Sequence, residues 1–187
     1  MATAFSTWHE DHVHFARLLD LLESQVILFN RGERPNYSLM GMIIHYMRTF
    51  GDRIHHPRED LAYERLLERD PDMRPVVGRL QQEHRVIATV GETLLERLNE
   101  AECDTISSRA ALEAAAAMYL VYYRNHLSTE ERYVMPRAAQ LLTPEDWDAV
   151  DTAVPASADP LFGQEVHPRF AILREQIESE ARMTSHG

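Results

Sequence analysis

Two short stretches carry residues that could do chemistry together. His55 and Glu59 stand four apart in Ile54-His-His-Pro-Arg-Glu-Asp60, and His126 and Glu130 stand four apart in Arg124-Asn-His-Leu-Ser-Thr-Glu-Glu-Arg132. On a helix, positions i and i+4 lie about 40° apart on one face, one turn above the other. Each pair therefore sets an imidazole beside a carboxylate. Without sulfur, that donor set suits iron, manganese or zinc. One such pair is common, and reads equally well as a buried charge-assisted hydrogen bond. Two pairs on separate helices, with His12 and His84 each central in an apolar stripe, point to one shared centre. Two carboxylates that can bridge, each next to a histidine, suit two adjacent ions. The expected ligands are His12, His55, Glu59, His84, His126 and Glu130, and the expected occupants two iron ions, with manganese or zinc as substitutes.

The elements that must deliver these residues are long helices. Apolar residues recur every three or four positions in four stretches, which is the helical period. They run from about Thr7 to Asn30, Ser38 to Asp70, Asp72 to Glu100 and Ser107 to Leu142. Gly32 with Pro35, and Pro71, mark the turns between the first three. Short connections make neighbours antiparallel. His12 then lies near the start of the first helix, His55 and Glu59 toward the end of the second, His84 in the first half of the third, and His126 and Glu130 toward the end of the fourth. In an up-down-up-down four-helix bundle all of these fall at one level. The fold class is all-α, with residues 1–142 as the bundle and 143–187 as a C-terminal helical extension. That extension opens on Thr143-Pro-Glu-Asp146, a helix start, and ends in an amphipathic helix through Phe170, Leu173 and Ile177. It packs on the bundle or supports a homodimer.

One local feature conflicts with this scheme. On an ideal helix His55 lies roughly 80° from the centre of the stripe made by Met40 to Ile54, and Glu59 lies further round. Pro57 cannot donate to the carbonyl of Arg53, so we expect a distortion there that re-phases the helix. His56, about 100° from His55, then takes a surface or supporting role rather than ligation. His9 is a candidate fifth ligand, while His14, His45, His167 and His186 are expected in solvent. Tyr119, Tyr122, Tyr123 and Tyr133 gather near His126, either as core packing or as supporting donors. Arg48 and Arg137 are candidate partners of the bridging carboxylates.

Composition bounds the rest. A formal charge of −11 repels phosphates, which argues against nucleic acid or anionic membrane as partners. The single cysteine, Cys103, excludes an intramolecular disulfide and a thiolate cage. No apolar run approaches the ~20 residues of a membrane span, and the N-terminal residues lack the features of a signal peptide. The expected location is cytoplasmic.

Taken together, Glu10-Asp-His12, His55-His-Pro-Arg-Glu-Asp60, Glu83-His84, and His126-Leu-Ser-Thr-Glu130 followed by Tyr133-Val-Met-Pro136 resemble the hemerythrin-like, or HHE cation-binding, family over about Trp8 to Leu142. The resemblance implies a helical bundle with a non-haem di-iron site, its matched positions here being the six residues above. It also implies a small diatomic or peroxide ligand, bound or sensed at that site. Oxygen-carrying hemerythrins place a second histidine one turn after the ligand on the third helix, where this chain has Ala88. Their last helix carries an aspartate one residue beyond the position of Glu130. The resemblance is therefore to the broader HHE group rather than to reversible oxygen carriers. That group leaves open an enzyme of peroxide decomposition, nitric oxide reduction or iron–sulfur repair, and equally an iron sensor or structural metal module.

Overall fold

The periodic stretches fold as helices, and no strand occurs among the described residues, which in this computed structural model are 4–102 and 109–184. Cys103, His186 and the expected start of the fourth helix lie outside them. The first rod is α1 (Ala4–Asn30). The second consists of α2 (Tyr37–Tyr46), a π-helical stretch (Met47–His55) and α3 (His56–Arg69). The third is α4 (Arg74–Glu102). The fourth consists of α5 (Arg109–Thr129), a second π-helical stretch (Glu130–Val134) and α6 (Met135–Leu141). Two further helices follow, α7 (Pro144–Ala153) and α8 (Ala171–Thr184).

Local chemistry sets the boundaries. After α1 the chain reverses through Gly32 at φ 77°, the left-handed conformation that glycine adopts without strain. The Asn36 side chain accepts from the Leu39 N–H and starts α2. Thr143 and Asp146 cap α7 reciprocally, with Pro144 where its missing N–H costs nothing.

The interruption expected at Pro57 is present, and it has a counterpart that we did not anticipate. Each π-helical stretch ends two residues before a proline, at His55 before Pro57 and at Val134 before Pro136. A proline cannot make the regular bond four residues back. The chain instead widens by one residue, with the His56 N–H bonded to the Gly51 carbonyl and the Met135 N–H to that of Glu130. Such wide turns rotate everything beyond them relative to what precedes. Both His–Glu pairs sit at a re-phasing point.

The core falls into two clusters with the polar residues between them. Phe15, Phe50, Ile87 and Tyr123 belong to one cluster; Trp8, Ala62, Leu80 and Val134 belong to the other. On each rod the candidate ligands lie in sequence between a residue of the first cluster and one of the second. α1 packs on α2 and α5, and α4 packs on α2 and α5. α7 lies against α1 and α3, and α8 against α2. Trp147 of α7 meets Phe5 and Trp8, while Arg58 of α3 donates to the Val154 carbonyl and to Asp151. Asp159 holds the segment before α8: it accepts from the Leu161 and Phe162 N–H groups and the Tyr46 hydroxyl. No helix among the described residues is long and apolar enough to cross a membrane.

Candidate metal centre

All six expected residues come together, each at 7 % exposure or less, in the layer between the two apolar clusters. Glu59 is central. Its Oε1 lies 2.7 Å from His55 Nε2 and 3.2 Å from His12 Nε2, and its Oε2 lies 3.3 Å from His84 Nε2. Glu130 has a similar position: its Oε2 is 3.3 Å from His12 Nε2 and 3.2 Å from His126 Nε2. His84 Nε2 and His126 Nε2 are 3.1 Å apart. Each carboxylate thus lies between an α1-side histidine and one held by α4 or α5.

His56 corrects the sequence reading. It is 3 % exposed and stacks on His84 with ring centroids 4.2 Å apart, beside Glu59 and His126. Two consecutive histidines both face inward because the rod passes between α1 on one side and α4 with α5 on the other. His55 turns toward the first and His56 toward the second.

The outer nitrogens follow one rule. Nδ1 of His55 faces Asp11 at 2.9 Å, that of His84 faces Asp60 at 3.2 Å, and that of His126 faces Glu83 at 3.4 Å. Nδ1 of His12 faces Glu131 at 3.4 Å and that of His56 faces Asp52 at 3.5 Å. A carboxylate behind Nδ1 fixes ring and tautomer and leaves Nε2 as the donor toward the centre. Asp11, which the sequence reading placed only beside His12 in the Glu10-Asp-His12 stretch, belongs to this set. Tyr63, which it passed over, donates its hydroxyl to Glu130.

Without metal the site balances itself with protons. Burial pushes the His126 imidazole down, but the Glu130 carboxylate outweighs it and brings the group up to about 10. His84 rises to about 9, against burial, through Asp60 and Glu59. Burial and the neighbouring Glu59 push Glu130 up, yet His126 and His12 hold it down at about 2. His56 goes the other way: burial, then the charge of His84, keep it well below the ordinary histidine value and hence neutral.

The residues fit a metal. His55 Nε2, Glu59 Oε2 and Glu130 Oε2 are shielded from solvent and make no hydrogen bond, although Glu59 Oε1 lies 2.7 Å from the first and histidine nitrogens lie 3.3 Å and 3.2 Å from the other two. Such close, misaligned donors aim at a common point rather than at each other, and an uncompensated buried carboxylate is costly. The set is nitrogen and oxygen only, which suits a first-row divalent ion. Two overlapping groups share Glu59: His12 with His55, and His56 with His84 and His126.

A sequence model of the hemerythrin HHE cation-binding domain matches residues 3–138. The chain belongs to that family. Comparison with curated proteins and with solved structures found no match. The HHE assignment and the buried His/Glu cluster together make this a cation-binding helical domain.

Other sequence expectations resolve differently. His9 is exposed and stands apart from the cluster, and His167 is exposed as expected. His14 and His45 are partly buried rather than solvated, His14 stacking on Phe162 at 3.9 Å. Of the four tyrosines, Tyr119 and Tyr123 are buried, whereas Tyr122 and Tyr133 are exposed. Arg48 pairs with Glu92 at 3.6 Å and Arg137 with Asp70 at 2.6 Å, so neither reaches the central carboxylates.

Proposed function

We propose that this HHE domain is a non-haem di-iron protein that binds or senses O2, NO or peroxide. The observation that carries the reading is the position of Glu59, one oxygen toward His12 and His55 and the other toward His84. His12 and His55 would hold one ion. His84, His126 and His56 would hold the second, with Glu59 and Glu130 shared. When bound, iron supplies a redox-active, Lewis-acidic position for a small ligand. The protein's own part is to hold five imidazoles aimed inward, each ring fixed by the carboxylate behind its Nδ1, and to give up the protons that His84 and His126 carry without metal when the ion binds. A pocket between Trp8, Ala62, Trp147 and Val150 reaches His55 and Glu59 from under α7 and gives such a ligand a way in.

The order in which each rod passes the two apolar clusters supports an up-down-up-down bundle over residues 1–142, with 143–187 as an extension packed on it. The acidic charge supports a role away from nucleic acid and anionic membrane. The test is anaerobic loading with ferrous iron, elemental analysis, and optical spectra before and after O2, NO and hydrogen peroxide. About two irons per chain and stable adduct spectra are expected, the stoichiometry following from two overlapping ligand groups. Multiple turnover of peroxide or NO would make it an enzyme instead. Loading below one iron per chain rejects the reading.

A further inference from the structure

We propose that the aromatic residues on the α7 side of the centre form a route for single electrons between the metals and the protein surface. The proposal rests on the di-iron reading above. Tyr63 is fully buried and donates its hydroxyl to Glu130. Trp8 lies edge-on to His12, with centroids 6.3 Å apart. The Trp8 ring is 6.1 Å from that of Tyr63 and 6.2 Å from that of Trp147. Trp147 sits half-buried on α7 and completes the path outward.

Tryptophan and tyrosine yield a single electron far more readily than phenylalanine, which would keep an aromatic ring in the same place without doing so. A buried indole or phenol needs only some hydrogen-bond partner. Here both partners belong to the centre itself, since the Trp8 N–H points at His12 Nε2 at 3.0 Å, a bond that a metal on that nitrogen would replace. The third ring leads to solvent. Centroid separations near 6 Å bring ring edges close to van der Waals contact, so no step along the path is long.

The balance is that of a peroxide reduction. One hydroperoxide takes up two electrons and two protons, its O–O bond breaks, and it leaves as an alcohol and water. Each electron comes from a one-electron donor of the ascorbate class outside Trp147, which is oxidised, and passes inward through Trp8. If Tyr63 supplies the electron in the meantime, its phenolic proton goes to Glu130 and returns when Tyr63 is reduced again.

The experiment treats iron-loaded protein with hydrogen peroxide, with no donor present, and maps oxidised residues by peptide mass spectrometry. Iron content is measured in every sample. Trp147 should carry most of the product, and adding ascorbate should suppress it about tenfold. Trp8→Phe should reduce the Trp147 product to the level of iron-free protein. Trp147→Phe, on the partly exposed helix, should move oxidation inward to Trp8 and Tyr63 and slow ascorbate reduction of the oxidised centre about tenfold. Equal Trp147 oxidation in loaded and iron-free protein overturns the route, as does an unchanged ascorbate rate in Trp147→Phe. Those results leave the metal reading intact, whereas a chain that takes up no iron overturns both.

Discussion

His56 lies face to face with His84, ring centroids 4.2 Å apart and planes within 10° of parallel. One is held neutral and the other is drawn toward its cation by Asp60 and Glu59 against burial. Replacing His56 by phenylalanine keeps the stack and removes the nitrogen. The outcome expected is retained folding, with affinity for one of the two metals lowered at least about tenfold, the scale on which even supporting groups act. Competition against a coloured chelator measures it, and unchanged affinity would return His56 to a packing role.

Glu59 faces histidines of both groups, so its loss should be felt by both ions. Glu59→Ala is expected to abolish loading of more than a trace of metal. In the metal-free protein it should also cost about 3–5 kcal/mol, the scale for removing one partner of a buried charge pair. Tyr63→Phe, which takes one donor from Glu130, should cost less, about 1.5–3 kcal/mol. Urea titration with chelator present gives both values, and the ranking is the checkable claim.

The protonation states predict opposite pH responses for empty and filled protein. His126 and His84 rise from the ordinary 6.5 to about 10 and about 9. The stability they contribute is complete below pH 6.5 and is lost as pH climbs through their folded values. Glu130 falls from 4.5 to about 2, so its contribution is present above pH 4.5 and is lost as pH falls toward 2. His56, held well below 6.5 in the fold, weighs against stability as pH falls below that value, so metal-free protein should be most stable toward the upper end of the interval, near about pH 6.5. Metal needs neutral imidazoles, so loading should release protons and tighten as pH rises. Unfolding curves across pH, with and without metal, and proton release into weak buffer test both halves.

Gly51 lies inside the first wide turn, and a methyl group there would come within 2.8 Å of the Tyr123 hydroxyl. Gly51→Ala should destabilise by about 1–3 kcal/mol through overpacking. Tyr123→Phe in the same chain removes the obstructing oxygen and should recover most of that loss. A double-mutant cycle reads the coupling directly.

Pro57→Ala restores the N–H that a regular helix would bond to the Arg53 carbonyl. The wide turn can then relax toward regular geometry and turn His55 and Glu59 away from α1. Circular dichroism should stay within a few per cent of the original, because one bond replaces another, while iron content per chain falls. Full iron loading of that variant would count against the re-phasing argument.

Much of the site was readable in the sequence because its residues come from regular spacing: two i, i+4 pairs, and two histidines inside apolar stripes. Antiparallel order then put them at one level. The clash between His55 and its stripe even located the first wide turn. The second turn carried the same proline signal at Pro136 but produced no conflict, so nothing drew attention to it. His56, Asp11 and Tyr63 were missed for a different reason. Angular position on one helix says which way a side chain leaves its own axis, not which neighbour stands there. His56 leaves about 100° from His55 and still meets the core, because the second rod has neighbours on both sides. Tyr63 is one of seven tyrosines, and only the packing of α3 against the fourth rod sets it on Glu130.

Each wide turn contains one residue more than an ordinary turn of equal height. A relative that lacked this extra residue would be one residue shorter and keep the height of its rod and its helical spectrum, yet carry its acids on the wrong side. A sequence alignment that bridges the loss with a one-residue gap inside the helix would score such a chain as an intact family member. Counting from Pro57 and Pro136 back to Gly51 and Glu130, whose carbonyls accept the wide-turn bonds, rather than matching His-x-x-x-Glu alone, is the sounder way to judge whether a relative can assemble the centre.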